Sequence, residues 1–471
     1  MTRWALFGTT TALIFALSGC SGLVEALGED QAPTVANEAP EAPSEPTGPE
    51  IAIEEFAAAC SQSVPEGANQ LSDTRRSPQT LTAATTELTL TEWTLPAVGS
   101  ERFNAVAEIC PGWLVAATNG GKTVLIEQEN GRWVESSVLE RSGTIDNIRA
   151  RGIDSGGPTY GIRDLVVAAE STWYSVGVVD EAQSCLRMEV RRVATEALWT
   201  GSVTESTVVY SSEPCVDFSD ERREKAPLKI HLGGALEVDP LTDTVYLTIG
   251  DYHLGASRIS QAASAGIEST DLDYALLGDQ NAAISALIAI SSASGAASSE
   301  IYSKGLRNSL GLAQDGEGRL WSSEMGPGGG DELNLMVRGA DYGWPLTSPG
   351  APYDRSQWPA NRDELPAPYL DFTDQDIPGT TDPVRVWTPA IAPSQLVWIP
   401  DDGLAAGEFA GLLALATLRD EAIHFLDPSQ SDVPTIARVA VGERLRNMSV
   451  DQSGALWAVT DSGTLFRLSA G

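Results

Sequence analysis

Short aliphatic, β-branched and aromatic runs recur between turn clusters along most of this chain. Trp113-Leu114-Val115-Ala116, Thr123-Val124-Leu125-Ile126, Thr207-Val208-Val209-Tyr210, Val245-Tyr246-Leu247-Thr248-Ile249 and Leu456-Trp457-Ala458-Val459 are each bounded by polar or turn-forming positions. Runs this short, rich in residues that favour a pleated surface, predict strands and a nearly all-β chain. A degenerate repeat supports this. Asp239-Pro240-Leu241-Thr242-Asp243-Thr244-Val245-Tyr246, Asp315-Gly316-Glu317-Gly318-Arg319-Leu320-Trp321 and Asp451-Gln452-Ser453-Gly454-Ala455-Leu456-Trp457 share one form: Asp, turn residues, then an apolar pair ending in an aromatic. Each predicts a turn feeding an inner strand of a propeller blade. The copies lie 76 and 136 residues apart, spacings that fit two and three blades of about 40 to 45 residues each. The main helical expectation is Asp273 to Ala297, which is rich in Ala and Leu.

The N-terminus has a different pattern. Arg3 precedes an apolar run from Trp4 to Leu17 of roughly 14 residues, too short to span a bilayer. It ends in Leu17-Ser18-Gly19-Cys20, which resembles a bacterial lipobox, so residues 1–19 are expected to be a lipoprotein signal peptide and Cys20 its lipidation site. The alternative is an ordinary secretory signal with an incidental cysteine. Residues 20–58 are rich in Ala, Pro, Glu and Gly, as in Glu38-Ala39-Pro40-Glu41-Ala42-Pro43, and predict a disordered acidic linker. Residues 59–471 then form the folded domain.

Composition narrows the partners. A formal net charge of −35 argues against nonspecific binding to nucleic acid or to an anionic membrane, so the lipid anchor is the expected membrane contact. With Cys20 acylated, Cys60, Cys110, Cys185 and Cys215 remain, an even number that in an exported chain points to two disulfides. Three connectivities are possible. Cys60–Cys110 and Cys185–Cys215 close the shorter loops and are favoured.

Three segments carry most of the chemistry: Gly305-Leu306-Arg307-Asn308-Ser309-Leu310-Gly311-Leu312, Ser323-Glu324-Met325-Gly326-Pro327-Gly328-Gly329-Gly330-Asp331-Glu332-Leu333-Asn334, and Asp341-Tyr342-Gly343-Trp344-Pro345. Arg307 is a permanent cation beside an amide, suited to a polyanionic ligand. The glycine run lets backbone carbonyls approach a ligand or ion, and Asp331 and Glu332 add hard oxygen donors. One of only three histidines lies in His231-Leu232-Gly233-Gly234, shortly before Gly250-Asp251. A neutral imidazole there suits proton abstraction. Read alone, a turn histidine beside two glycines is the plainer reading. Arg444 and Arg446 stand at i and i+2, which on a strand puts both on one face. That pair is either a shared anion site or a solvated blade edge.

In this order and spacing the motifs resemble the glucose/sorbosone dehydrogenase family, quinoproteins that oxidise sugars with pyrroloquinoline quinone (PQQ) and calcium. The resemblance covers about residues 90 to 470 and is densest in the C-terminal half. It implies a six-bladed β-propeller, a small-molecule sugar substrate, PQQ and Ca2+ as cofactors, and an electron acceptor whose identity the sequence leaves open. It implies His231 as general base and Arg307 as the cation beside the reacting quinone oxygen. Asn308, Arg444 and Arg446 fall at cofactor-binding positions, with Arg419 where a lysine is usual. Gly326 and Pro327 would hold the cofactor's calcium through backbone carbonyls, with Glu332 and Tyr342 at further calcium positions. Four departures stand out. Leu306 and Met325 replace the usual polar residues, Asn447 replaces an aspartate, and no glutamine lies near Tyr160-Gly161-Ile162-Arg163-Asp164. The expected function is PQQ- and calcium-dependent oxidation of an aldose or a related sugar or aldehyde at the cell envelope. Two alternatives stay open: a cofactor-free propeller binding carbohydrate or protein, and a metal-dependent lactonase-type hydrolase.

Overall fold

The computed structural model describes most of residues 69–471; the longest stretches outside the described residues are 1–68, 140–160, 218–230, 253–276 and 351–377. The expected signal peptide, Cys20, the linker, Cys60 and His253 therefore lie outside the described residues.

Strands appear where the apolar runs predict them, as Trp113–Thr118, Lys122–Glu127, Thr207–Ser211, Thr244–Ile249 and Leu456–Thr460. Trp113–Thr118 and Leu456–Thr460 are buried at every position, because blades packed face to face cover both sides of a strand. Among the described residues the strands form six antiparallel sheets, the blades of a six-bladed β-propeller. The inner strands are Phe103–Cys110, Gly161–Ala168, Gly233–Asp239, Ser309–Gln314, Pro393–Trp398 and Leu445–Val450, in blades 1 to 6. Each packs against the next, and the last packs against the first.

The ring is closed by chain ends distant in sequence. Blade 6 takes Leu445–Val450, Leu456–Thr460 and Thr464–Ala470 from the C-terminus and Thr86–Thr94 from the N-terminal side, pairing Ala470 with Leu88. Leu88 and Leu90 bury their side chains with Phe466, Leu468 and Phe425, so the closure is also an apolar seam.

Three expectations change. The Asp repeat does not feed inner strands: it is the turn that leaves an inner strand and enters the second. Asp315 accepts hydrogen bonds from the Glu317 and Arg319 amides and from the Trp321 indole at 2.8 Å. Asp451 does the same with Ser453, Ala455 and the Trp457 indole. In these two copies the tryptophan that ends the repeat donates to its aspartate. The spacings were also misassigned. Asp239, Asp315 and Asp451 follow the inner strands of blades 3, 4 and 6, so 76 residues is one blade and 136 is two. Blades 3 and 4 are lengthened by the segments 253–276 and 351–377. Finally, the helical expectation over 273–297 fails in its second half, although Leu277 is helical. Ala286–Ser291 is a strand, paired on one side with Thr244–Ile249 and on the other with Ser298–Lys304. A short apolar run carries no period that separates helix from strand, and two waiting strand edges decide the outcome.

Cys185 and Cys215 form a disulfide with Cα atoms 5.5 Å apart, tying the third strand of blade 2 to the segment after its outer strand. Cys110, at the end of the blade 1 inner strand, is disulfide-bonded too.

Candidate active site at the axial mouth

The N-terminal ends of the inner strands meet at one end of the propeller axis, and most of the singled-out residues collect there. Gly233 and Gly234 take φ of +65° and +100°, a region L side chains avoid. A Cβ on Gly234 would also collide with the stem of Arg163. The double glycine therefore forms the turn that delivers His231 to the mouth. The His231 ring bonds through Nδ1 to Asp251 Oδ1 at 2.9 Å. Asp251 is fully buried and accepts the Trp344 indole N–H on its other oxygen at 3.0 Å. A carboxylate that accepts from Nδ1–H leaves Nε2 with its lone pair, the form a base needs. Sequence alone marks Gly250-Asp251 as an accompaniment to the histidine and gives Asp251 and Trp344 no role; the Gly-Asp pair so near the only histidine in a glycine turn was the available signal.

Arg307 and Asn308 stand beside this group. The Arg307 carbonyl accepts from the Asp251 amide at 2.9 Å, and its guanidinium lies 5.3 Å from the centre of the Trp344 ring. Arg307 Nη1 donates to the Met325 carbonyl at 2.7 Å and, more weakly, to that of Gly326. Asn308 Oδ1 accepts from the Gly233 amide at 3.3 Å, linking the arginine segment to the histidine turn. Behind them, Glu324 accepts from the amides of both Arg307 and Asn308. Lys304 is buried and donates to the carbonyls of Ala282 and Ile284, which fixes the loop packed under this segment. Burial brings its ammonium down to about 8.

Asp331 is spent on structure. It accepts from the amides of Gly326, Ile391 and Ala392, so it braces the glycine loop. Glu332 is different. It sits opposite Glu324 across two paired strands, and both carboxyls are buried. Burial raises Glu324 to about 7, and burial followed by repulsion from Glu324 raises Glu332 well above the carboxylate range. Asn334 donates to both acids, while its own Oδ1 is buried with no partner. Two buried acids and an orphaned carbonyl oxygen are hard donors short of positive charge, a set that fits calcium. Glu332 and Tyr342 also line a cavity of about 260 Å³. Gly326 and Pro327 have only backbone oxygens to offer, and the loop is packed tightly around them: a Cβ on Gly350 would strike the Pro327 carbonyl, and one on Gly326 the Gly330 carbonyl. Among the described residues no three His, Cys, Asp or Glu side chains converge on one point, so a cation here would lean on carbonyl oxygens.

Arg444 and Arg446 do face the same way. Both guanidiniums reach Asp461, at 2.9 Å and 2.7 Å, and Arg444 also donates to the Leu418 carbonyl. Arg419, the next residue, has an exposed side chain. Asp461 was not foreseen, since it lies in the following turn and nothing local marks it. Arg163 connects the two halves of the mouth: its Nε donates to the Gly233 carbonyl at 3.2 Å, and it feels the charges of Arg446 and Asp461. Below them the axis is closed by Asp164, which accepts from Gln395, Asn447 and the amides of Leu165 and Leu236. Asn447 thus joins blades 6 and 2 and, by accepting the Val106 amide, blade 1. His424 is buried in blade 5 against Asp420, away from the mouth.

Comparison with known proteins identifies the family and the fold. A sequence profile of the Glucose / Sorbosone dehydrogenase family matches residues 173–467. The aldose sugar dehydrogenase YliI of Escherichia coli is 30% identical over 178 residues, 37% of this chain and 44% of that protein. The matched segments span 40 to 44% of the curated relatives' lengths. In fold, the chain resembles the apo form of the soluble aldose sugar dehydrogenase of Escherichia coli, with a TM-score of 0.58 and 19% identity over 81% of this chain and all of that one. It also resembles the PQQ-bound aldose sugar dehydrogenase of Streptomyces coelicolor, with a TM-score of 0.53 and 18% identity over 84% and 98% of the two chains. The profile covers well over half of this sequence, and the chain belongs to the glucose/sorbosone dehydrogenase family.

Proposed function

We propose that this protein oxidises an aldose or a related sugar aldehyde with PQQ and calcium, using His231 as general base. The observation that carries the reading is the group His231–Asp251–Trp344–Arg307, held by bonds of 2.9 and 3.0 Å and a ring contact of 5.3 Å. When bound, PQQ supplies the two-electron acceptor and calcium polarises it. The chain's residues do the remainder. His231 Nε2 takes the proton of the sugar hydroxyl as hydride leaves carbon, and Asp251 holds the ring and stabilises the imidazolium that forms. Arg307 sets a positive charge where negative charge develops, and its guanidinium lies over the Trp344 ring. Arg444, Arg446 and the exposed Arg419 are the cations for cofactor carboxylates, and Gly326, Pro327, Glu332 and Tyr342 the calcium positions. That relatives are named as aldose sugar dehydrogenases, one of them PQQ-bound, supports the chemistry. The envelope location and the anchor at Cys20 rest on the sequence.

The deciding experiment is reconstitution. Apoprotein mixed with PQQ and calcium should develop the absorbance of the bound quinone and reduce a dye when an aldose is added. Folded protein that takes up no PQQ with calcium present would refute the reading and leave a binding propeller in its place.

A further inference from the structure

The mouth carries one arginine that the reaction above does not use. Arg163 lies on the inner strand of blade 2, with its stem across Gly234 and its Nε on the Gly233 carbonyl at 3.2 Å. The carboxylate next to it in sequence, Asp164, already accepts from two amides, Gln395 and Asn447. Since Asn447 reaches across the axis to Asp164, Arg446 and Arg163 each stand one residue nearer the mouth on facing strands. Burial and then the Arg446 charge bring the Arg163 guanidinium down to about 10. Arg446 in turn feels Arg444 and Arg102, and Asp461 is bonded by Arg444 and Arg446 while its charge also reaches Arg163. A chain with 65 acidic and 30 basic residues thus gathers three arginines, Arg163, Arg444 and Arg446, around Asp461, with Asp164 the second carboxylate near Arg163. Like charges brought together out of water cost stability, and an anion with several negative groups is what offsets that cost.

We propose that Arg163 is a further anion-binding residue of the mouth, pairing with a carboxylate of the cofactor from blade 2 while Arg444 and Arg446 act from blade 6. The inference rests on the PQQ reading and adds a residue to it. Its position beside Gly233 also lets it set how the cofactor sits relative to His231.

The test is equilibrium titration of the full-length apoprotein with PQQ in the presence of calcium, followed by tryptophan quenching. Arg163→Gln should weaken binding by about tenfold or more, the usual effect of losing a charge-assisted bond, and Arg163→Lys should recover part of the loss. The trimethyl ester of PQQ, which has no carboxylates, should bind Arg163→Gln and the parent protein equally. Arg338→Gln, an exposed arginine that follows the third strand of blade 4 and pairs with Glu300 of blade 3, serves as the charge control and should leave the titration unchanged. If Arg163 only braces Gly234, Arg163→Gln will melt earlier as apoprotein yet bind PQQ as tightly as before, and the proposal falls. It falls equally if the ester loses as much affinity as the acid. A parent protein that binds no PQQ refutes the proposed function itself, an outcome distinct from either of these.

Discussion

His231 and Asp251 form a unit, and the two should fail differently when changed. His231→Asn removes the base and should lower turnover by about two to four orders of magnitude at saturating PQQ, with cofactor affinity kept. Asp251→Asn leaves an imidazole but withdraws the group that fixes its tautomer; single-turnover rates should fall while PQQ titrations stay unchanged. Arg446→Ala should do the reverse, weakening PQQ binding and sparing the rate once cofactor saturates. Parallel titrations and single-turnover measurements on the three variants check this; a His231→Asn enzyme with undiminished turnover would remove the base assignment. The histidine and the arginines were legible because each sits in a distinctive local string. Asp251, Trp344 and Asp461 were not, because their roles come from pairing across 20, 93 and 15 residues of sequence.

Among the elements, blade 2 has the clearest covalent support. Cys185 and Cys215 are 30 residues apart, and closing a loop of that size restricts the unfolded chain. Replacing both by Ser should lower unfolding free energy by about 2 to 4 kcal/mol in chemical denaturation. A change well under 1 kcal/mol would mean that strand pairing alone holds the segment. The pairing agrees with the short-loop argument from sequence. Blade 3 went the other way: Ala286–Ser291 was misjudged because its composition suits a helix, and only the two strands flanking it made it a strand. The Asp-to-aromatic repeat was visible as a pattern, yet its meaning, an indole donating to the turn aspartate, emerged only from the fold.

On the scale of the whole molecule, the ring closure and the axis matter most. Leu88→Ala, in the strand that joins the two chain ends, should cost about 2 to 5 kcal/mol, the usual loss for a buried leucine in a close-packed seam. Below the Asp164 plug the axis opens into a cavity of about 670 Å³ lined by Glu108, Glu237 and Asp451 among others. Burial and the nearby Asp164 raise the Glu237 carboxyl to about 8. The folded chain keeps a proton there that the unfolded chain releases near 4.5, so the stabilisation is full below pH 4.5 and is lost as pH climbs to 8. Glu237→Gln should therefore melt close to the parent at pH 4.5 and above it at pH 9. Equal melting temperatures at both values would remove Glu237 from the pH dependence. At the N-terminus, Cys20→Ser should abolish lipid labelling and membrane association; a variant that still incorporates palmitate would end the lipobox reading.

The sequence by itself determined the strand runs, the family and the main chemical groups, because those are written in local composition and in short strings that need no partner. It could not determine which blade each repeat belonged to, since long insertions make residue spacing a poor measure of blade number. Nor could it assign Asp251, Arg163 or Asp461, whose significance depends on what stands across the axis. Those were decided when six inner strands were brought into a ring and their ends converged, so that a histidine from blade 3 and arginines from blades 2, 4 and 6 shared one mouth.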